Sequence, residues 1–378
     1  MSFRKIQNNS SAHPLSPALP PGTKFVPQNS LVLVSTGIPS LDDVLGGGLA
    51  IGSILLVLQD RFTGYAQTLQ AIFEAQAVSA NHKLLVAKPD LNSKTDLLLP
   101  QKISSQNTVA QAPPASKDMK IAWRYNNLAQ VDPSISQQSY SHDFDLSKNI
   151  PLPELQTADI NTINLLNLNP TSPYSSLFDS ISQFVENGYS SLSPNKPAAI
   201  RNVSRISIHS LGSSFFQSSS QKDILQFFFA LKGLLRYSYS TCMITIPATF
   251  PANSSSSTKS SILKRIQSHC DCVIELDSFE GSYSNPTKLL SSQNNTSNTQ
   301  NDYHGLFHIH KLPTLNTLVP AASKLSILAK SGGGSSNNLA FKLRRKKFSI
   351  ETYHLPIEGG SNERRLPSSN PSSNNLEF

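Results

Sequence analysis

The sequence predicts an α/β fold: a mostly parallel β-sheet flanked by helices, with long disordered insertions and tails. Three observations carry that prediction. Ile54 to Leu58 is a run of five apolar residues between turn signals, as expected for a strand buried on both faces. Directly after it, from Gly64 to Ala80, residues Tyr65, Leu69, Ile72, Phe73, Ala77 and Val78 recur at three- and four-residue steps, a helical period, and a second apolar run follows from Leu84 to Ala87. That order is the start of a βαβ unit. Composition is the third: 378 residues with only 38% hydrophobic side chains and 25 prolines fit one large core with polar insertions better than two or three average domains.

Residues 1–30, rich in Ser, Pro and Asn, are expected to form a disordered arm, and the folded domain is expected over 31–357. Its opening holds Gly46, Gly47, Gly48 and Gly52 around Leu49 to Ile51. Only glycine visits positive φ at little steric cost, so two sharp reversals are expected there. The segment between Leu58 and Gly64 then has the strand, loop and helix order of a phosphate-binding loop, which needs G-x-x-x-x-G-K-[ST]. Gln59 stands at the first glycine and Gly64 at the second, with Tyr65 and Ala66 at the Lys and Ser/Thr positions. Without the lysine no point charge meets the β- and γ-phosphates, and without the hydroxyl Mg²⁺ lacks a ligand. Gln59 also places a side chain where the backbone must approach phosphate. The expectation is a loop of phosphate-binding shape that does not hydrolyse nucleotide, with no catalytic residue and no cofactor.

Between Lys88 and Asp118 no period is sustained, and an insertion, disordered near 89–118, is expected. Trp123 and Tyr125 follow; they suit a stacking platform for bases, but packing at a sheet edge or subunit interface is favoured. Residues 148–172 read as a linker, and a helix from Pro173 carries Leu177, Phe178, Ile181 and Phe184 on one face. Ile206 and Ile208 mark a strand at whose end a nucleotide-hydrolysing protein would place an acid for Mg²⁺. The residue there is His209, a poor partner for a hard cation, and a hydrogen-bonded role at a strand end is expected.

The helix from Lys222 to Tyr237 carries Ile224, Phe227, Phe228, Leu231, Leu234 and Leu235, so it belongs to a core or an interface. A strand from Thr241 to Ile246 ends at Pro247, and a loop leads into a helix with Lys264 and Arg265. His269, Cys270 and Cys272 invite a zinc reading, but the spacing departs from C-x₂₋₄-C and Cys242 is the only other cysteine, so no metal is expected and Cys272 opens a buried strand. His308 and His310 share one face of the next strand, where a metal would need a third ligand; polar-face residues are the preferred reading. Residues 281–302 are a Ser, Asn and Thr tract expected to be disordered, as is the tail 358–378. Between them, Phe341 to Ile350 alternates as an edge strand or hairpin and carries Lys342, Arg344, Arg345, Lys346 and Lys347. Solvated edge charge that blocks strand pairing, RNA backbone contact and a nuclear import signal are the three readings of that run.

A net charge of +8 admits an anionic partner without requiring one. Three cysteines argue against a disulfide framework and for a reducing compartment. No run approaches 18 apolar residues and no apolar stretch follows Met1, so neither a membrane span nor a secretory leader is expected.

The opening STG-x-x-x-LD-x-x-LGGG-L-x-x-G resembles the RecA-like ATPase superfamily. Lys120 to Tyr125, His142 to Ser147, Ile206 to Gly212, Cys272 to Phe279, Gly305 to Pro313 and Phe341 to Ile350 narrow the resemblance to the family of fourth Elongator subunits. That resemblance implies a RecA-like domain in a heterohexameric ring with the fifth and sixth Elongator subunits, joined to the remaining subunits. The ring would bind tRNA and support modification of the wobble uridine at carbon 5, in cytoplasm and nucleus, with the chemistry in another subunit. It also implies that the loops near Leu211 to Gln221 and Ala248 to Ser261 face the ring centre, which makes Lys259, Lys264 and Arg265, and secondarily Arg344 to Lys347, the candidate tRNA contacts. An active RecA-like ATPase and a stand-alone RNA-binding protein are the alternatives; Tyr65, Ala66 and His209 weigh against the first, and the lack of an RNA-binding module pattern against the second.

Overall fold

The computed structural model describes residues 19–103, 140–187, 202–216, 220–247, 250, 256–280, 303–320 and 339–353. Its centre is β4 (Ile54–Leu58), the apolar run, which lies inside a nine-stranded sheet and is buried along its whole length. On one side β4 pairs in parallel with β10 (Ser240–Ile246), then β9 (Ser204–Ile208), β5 (Lys83–Lys88) and β8 (Ile160–Asn164). On the other side comes parallel β11 (Cys272–Ser278), followed by antiparallel β12 (Gly305–Lys311), β13 (Leu339–Arg344) and β14 (Lys347–Thr352).

Side-chain alternation along β4 feeds two cores. Leu55 and Val57 pack with α1 (Pro39–Val44) and α2 (Tyr65–Ser79), while Ile54, Leu56 and Leu58 pack with α4 (Pro173–Asn187), α5 (Gln221–Arg236) and α6 (Ser256–His269). Helices on both faces are why the strand has no polar alternation. The α5 helix starts where Ser220 and Asp223 form a reciprocal capping box, and it buries Ile224, Phe227, Phe228, Leu231 and Leu235. That face is therefore core, Leu234 is half-buried, and Phe229 points outward at 71% exposure.

Three segments depart from the sequence expectations. The fold does not wait for Leu31: β1 (Thr23–Val26) pairs antiparallel with β2 (Leu31–Val34), which in turn pairs with β3 (Leu49–Ala50). Short strands with half-exposed faces leave little apolar signal, and here pairing, not burial, orders them. Residues 89–103, expected within a disordered insertion, hold a 3₁₀ turn at Lys94–Asp96 capped by Ser93, and β6 (Pro100–Lys102) paired with β7 (Phe144–Asn149). Leu91, Leu97 and Leu99 anchor that stretch in the core at spacings that match neither period. The expected linker 148–172 contains α3 (Leu152–Thr157) and β8, the other edge of the main sheet. As an edge strand of sequence Ile-Asn-Thr-Ile-Asn, half-buried at most, β8 needs few apolar residues. The disordered stretches expected over 1–18, 104–118, 281–302 and 358–378, together with Trp123 and Tyr125, lie outside the described residues.

The remaining elements agree with the sequence reading. Phe341 to Ile350 is a hairpin at the sheet edge, and α2, α4, α5, α6, β9, β10, β11 and β12 stand where periodicity places them, to within a few residues at their ends. None of the described helices is long and apolar enough to cross a membrane.

Candidate functional site

The phosphate-loop position is the turn from Gln59 to Gly64 between β4 and α2. Gln59 donates its backbone N–H to the Ile246 carbonyl at 3.0 Å and its side-chain amide to Ser210 Oγ at 3.4 Å, so it ties the loop to the ends of β9 and β10. Within the loop the Asp60 carboxylate accepts from Thr63 Oγ1 at 2.7 Å and from the Thr63 N–H at 3.3 Å. The loop thus carries an anion of its own, which repels a phosphate and occupies a backbone donor. Gly64 caps α2 with an ordinary negative φ, and a Cβ there would make only a 3.7 Å contact with Gln67. The surviving glycine is thus not one that packing demands. Tyr65 turns its ring edge-on to Phe341 and His304, at centroid distances of 5.0 and 5.8 Å, and so stitches α2 to the antiparallel side of the sheet. Burial and the nearby Glu280 and Asp60 push its phenol up. Ala66 is buried in the core.

Below the loop, His209 sits at the end of β9 as expected, and its partner comes from α2, far away along the chain. His209 Nε2 lies 2.7 Å from Glu74 Oε1, and the same carboxylate oxygen accepts from Ser207 Oγ at 2.6 Å. Gln70 donates to the Ile208 carbonyl at 2.9 Å and accepts from Thr245 Oγ1 at 3.1 Å; Thr245 Oγ1 in turn accepts from the Ser210 N–H at 2.8 Å. Gln70 and Glu74 stand one turn apart on the buried, mostly apolar face of α2. Two polar residues at i and i+4 on a core face were the available signal.

A second buried polar cluster explains the opening motif. Asp42 Oδ1 accepts from the Thr36 N–H and Thr36 Oγ1, both at 2.7 Å, and Oδ2 accepts from Ser35 Oγ. Burial pushes Asp42 up to about 6 despite these donors and the charge of Arg205. Arg205, fully buried in β9, donates to the Ser35 carbonyl at 2.7 Å and to His82 Nδ1 at 2.9 Å, and lies over the Phe73 ring. Burial pulls its guanidinium down to about 10. The four motif glycines all have positive φ, from +82° to +134°. At Gly48 a Cβ would come within 2.6 Å of the Val34 carbonyl and clash with the Tyr140 hydroxyl, which donates to the Gly47 carbonyl. The motif is thus a folding device: its polar residues and glycines serve backbone geometry.

The candidate tRNA contacts do not form one patch. Lys264 and Arg265 are exposed on α6, whose apolar side faces the α4 and α5 core; Lys259 belongs to the same helix, its side chain outside the described residues. The Arg344 to Lys347 turn lies at the sheet edge, and Leu343 and Phe348 beside it pack into the opposite core. There Lys346 pairs with Asp145 at 3.8 Å and Lys347 with Asp143 at 3.6 Å, whereas Lys342 is buried with its Nζ over the Tyr303 ring.

The three cysteines are free and buried, and burial pushes their thiols up. His310 pairs with Glu275 at 2.5 Å across the strands, and the Glu275 carboxyl is held down by that bond. Among the described residues no three His, Cys, Asp or Glu side chains are grouped to hold a metal.

A mostly parallel sheet with its first strand central, helices on both faces and a turn from Gln59 to Gly64 closed by its own side chains defines the class: an α/β protein of RecA-like fold. The comparisons with known proteins then narrow it. The family model described as PAXNEB protein matches residues 16–378. Elongator complex protein 4 of Xenopus laevis is 35% identical over 374 residues, covering 90% of this chain and 83% of that protein. The Homo sapiens protein of the same name is 31% identical, covering 89% and 79%, and the Saccharomyces cerevisiae one 24% identical, covering 89% and 76%. The chain belongs to the family of Elongator complex protein 4. Among solved structures, a KaiC-like protein from Pyrococcus horikoshii is 13% identical with a TM-score of 0.43, over 84% of this chain and 98% of that one.

Proposed function

We propose that this chain is a non-catalytic RecA-like subunit of the Elongator complex, assembled with the fifth and sixth subunits in a heterohexameric ring. In that ring it supports tRNA binding for modification of the wobble uridine at carbon 5, in cytoplasm and nucleus. Family membership supports the place in Elongator. The observation that carries the non-catalytic reading is the filled site. Where hydrolysis needs a lysine there is a packed tyrosine, and where Mg²⁺ needs a carboxylate there is a histidine already bonded to Glu74. The loop between them is braced by the Asp60 carboxylate. The role left to such a domain is to hold surfaces in place. Exposed Phe62 on the loop, Phe229 on α5 and Tyr237 after it are apolar groups that burial against a neighbour would stabilise.

Co-expression with the fifth and sixth subunits, followed by native mass measurement, tests the assembly. A particle with two copies of each subunit is expected, and the chain expressed alone is expected to self-associate. A stable monomer with no affinity for either partner would overturn the proposal.

A further inference from the structure

The basic hairpin holds more than edge charge. Its turn is fastened to β7: the Leu146 N–H donates to the Lys346 carbonyl at 3.3 Å, and Asp145 and Asp143 take the ammonium groups of Lys346 and Lys347. Both lysines are thereby partly neutralised. Arg344 and Arg345 are not: both are exposed, and among the described residues neither makes an ion pair. They stand at the mouth of a groove of about 390 Å³ between the hairpin, the β6–β7 ribbon and the outer side of α2, lined by Leu98, Pro100, Leu146 and Leu343. Leu98 is 73% exposed there. The volume lies in the range of sites that bury ligand groups, about 300–1,000 Å³.

We propose that this groove is a docking site for an acidic, aliphatic segment of a partner protein, with its carboxylates on Arg344 and Arg345 and its aliphatic side chains on Leu98 and Leu146. Charge complementarity selects the occupant. Two guanidinium forks beside each other match carboxylates bidentately, and the neighbouring acids that would have satisfied them are spent on the lysines. The wall chemistry separates a peptide from RNA. Base recognition uses aromatic faces for stacking, and among the described residues no aromatic side chain lines the groove, whereas aliphatic side chains beside exposed arginines are the composition of a protein contact. The hairpin then binds protein, and any tRNA contact falls to α6. The inference rests on membership of an assembly and not on the tRNA reading.

The test uses the assembled complex. Leu98→p-benzoylphenylalanine is introduced, the complex is irradiated, and the cross-linked peptide is sequenced by mass spectrometry. The expected adduct is a segment of another subunit carrying Asp or Glu beside Leu, Ile or Val. Arg344→Glu with Arg345→Glu is expected to lower the adduct yield at least about tenfold, which corresponds to about 1.4 kcal/mol, while the mass of the complex stays unchanged. Arg344→Lys with Arg345→Lys keeps the charge, loses the forks, and is expected to fall between the two. An adduct on RNA, an adduct on this chain's own residues only, no adduct in a complex of correct mass, or a yield unaffected by charge reversal would each overturn the proposal. Loss of the ring mass in the otherwise unmodified complex would instead count against the proposed function.

Discussion

Replacing His82 by Gln should flatten the acid sensitivity of the fold. His82 is buried at the start of β5, where its Nδ1 accepts from Arg205 Nε at 2.9 Å; since an arginine only donates, the ring proton is on Nε2, which donates to the Pro21 carbonyl at 2.7 Å. Burial first, and the neighbouring Arg205 second, push its pKa down from 6.5 to about 3. A base with a depressed folded pKa contributes stability above its unfolded pKa and loses it as pH falls toward the folded one. Between pH 7 and pH 4.5 the unfolded chain takes up a proton at this residue and the folded chain does not. Two pH units below 6.5, at 1.36 kcal/mol per unit, make the loss about 2.5 kcal/mol. His142, pushed down to about 4, adds to the loss in the same direction, and Asp42, raised to about 6, opposes it because protonation favours its folded form. Both are present in parent and variant, so the difference isolates His82. Gln can present an acceptor to Arg205 and a donor to Pro21 without titrating. Urea unfolding followed by circular dichroism at pH 7 and pH 4.5 measures the quantity: the parent should lose about 2.5 kcal/mol more than His82→Gln. Equal losses, within about 0.5 kcal/mol, would show that His82 titrates normally or is not held between Arg205 and Pro21.

The purified chain should show no magnesium-dependent ATP hydrolysis above background, and Tyr65→Lys with Ala66→Thr should not create it, because Gln59 and the His209–Glu74 pair remain; turnover in a phosphate-release assay would refute this. Lys264→Ala with Arg265→Ala should weaken tRNA binding by the assembled ring to a similar extent for tRNAs of different sequence, and lower the slope of log affinity against log salt by about 1 per lost contact; unchanged affinity and slope would move RNA contact to the partner subunits. Gly48→Ala should cost at least about 2 kcal/mol, since φ is +134° and the new methyl meets the Val34 carbonyl at 2.6 Å; a melting temperature equal to the parent's would disprove the constraint.

The sequence by itself determined the features that rest on local chemistry. Ile54 to Leu58 had to be a doubly covered strand because no polar residue interrupts it, and Gly46 to Gly52 had to turn because the chain there needs positive φ. The absent lysine and hydroxyl at Tyr65 and Ala66 were equally plain, because a phosphate loop draws its chemistry from adjacent positions. Tertiary structure alone decided the partners across the fold. Glu74 meets His209 across 135 positions and Arg205 meets His82 across 123, pairs no local period encodes. It decided that β1 and β8 are strands, since edge pairing needs a neighbouring backbone more than an apolar face. It also split the basic run, giving Lys346 to Asp145 on β7 and Lys347 to Asp143 just before it, and leaving Arg344 and Arg345 at a groove. Charge is written in the sequence, but whether it is spent inside the molecule or kept for a partner depends on which counter-charge folding brings within reach.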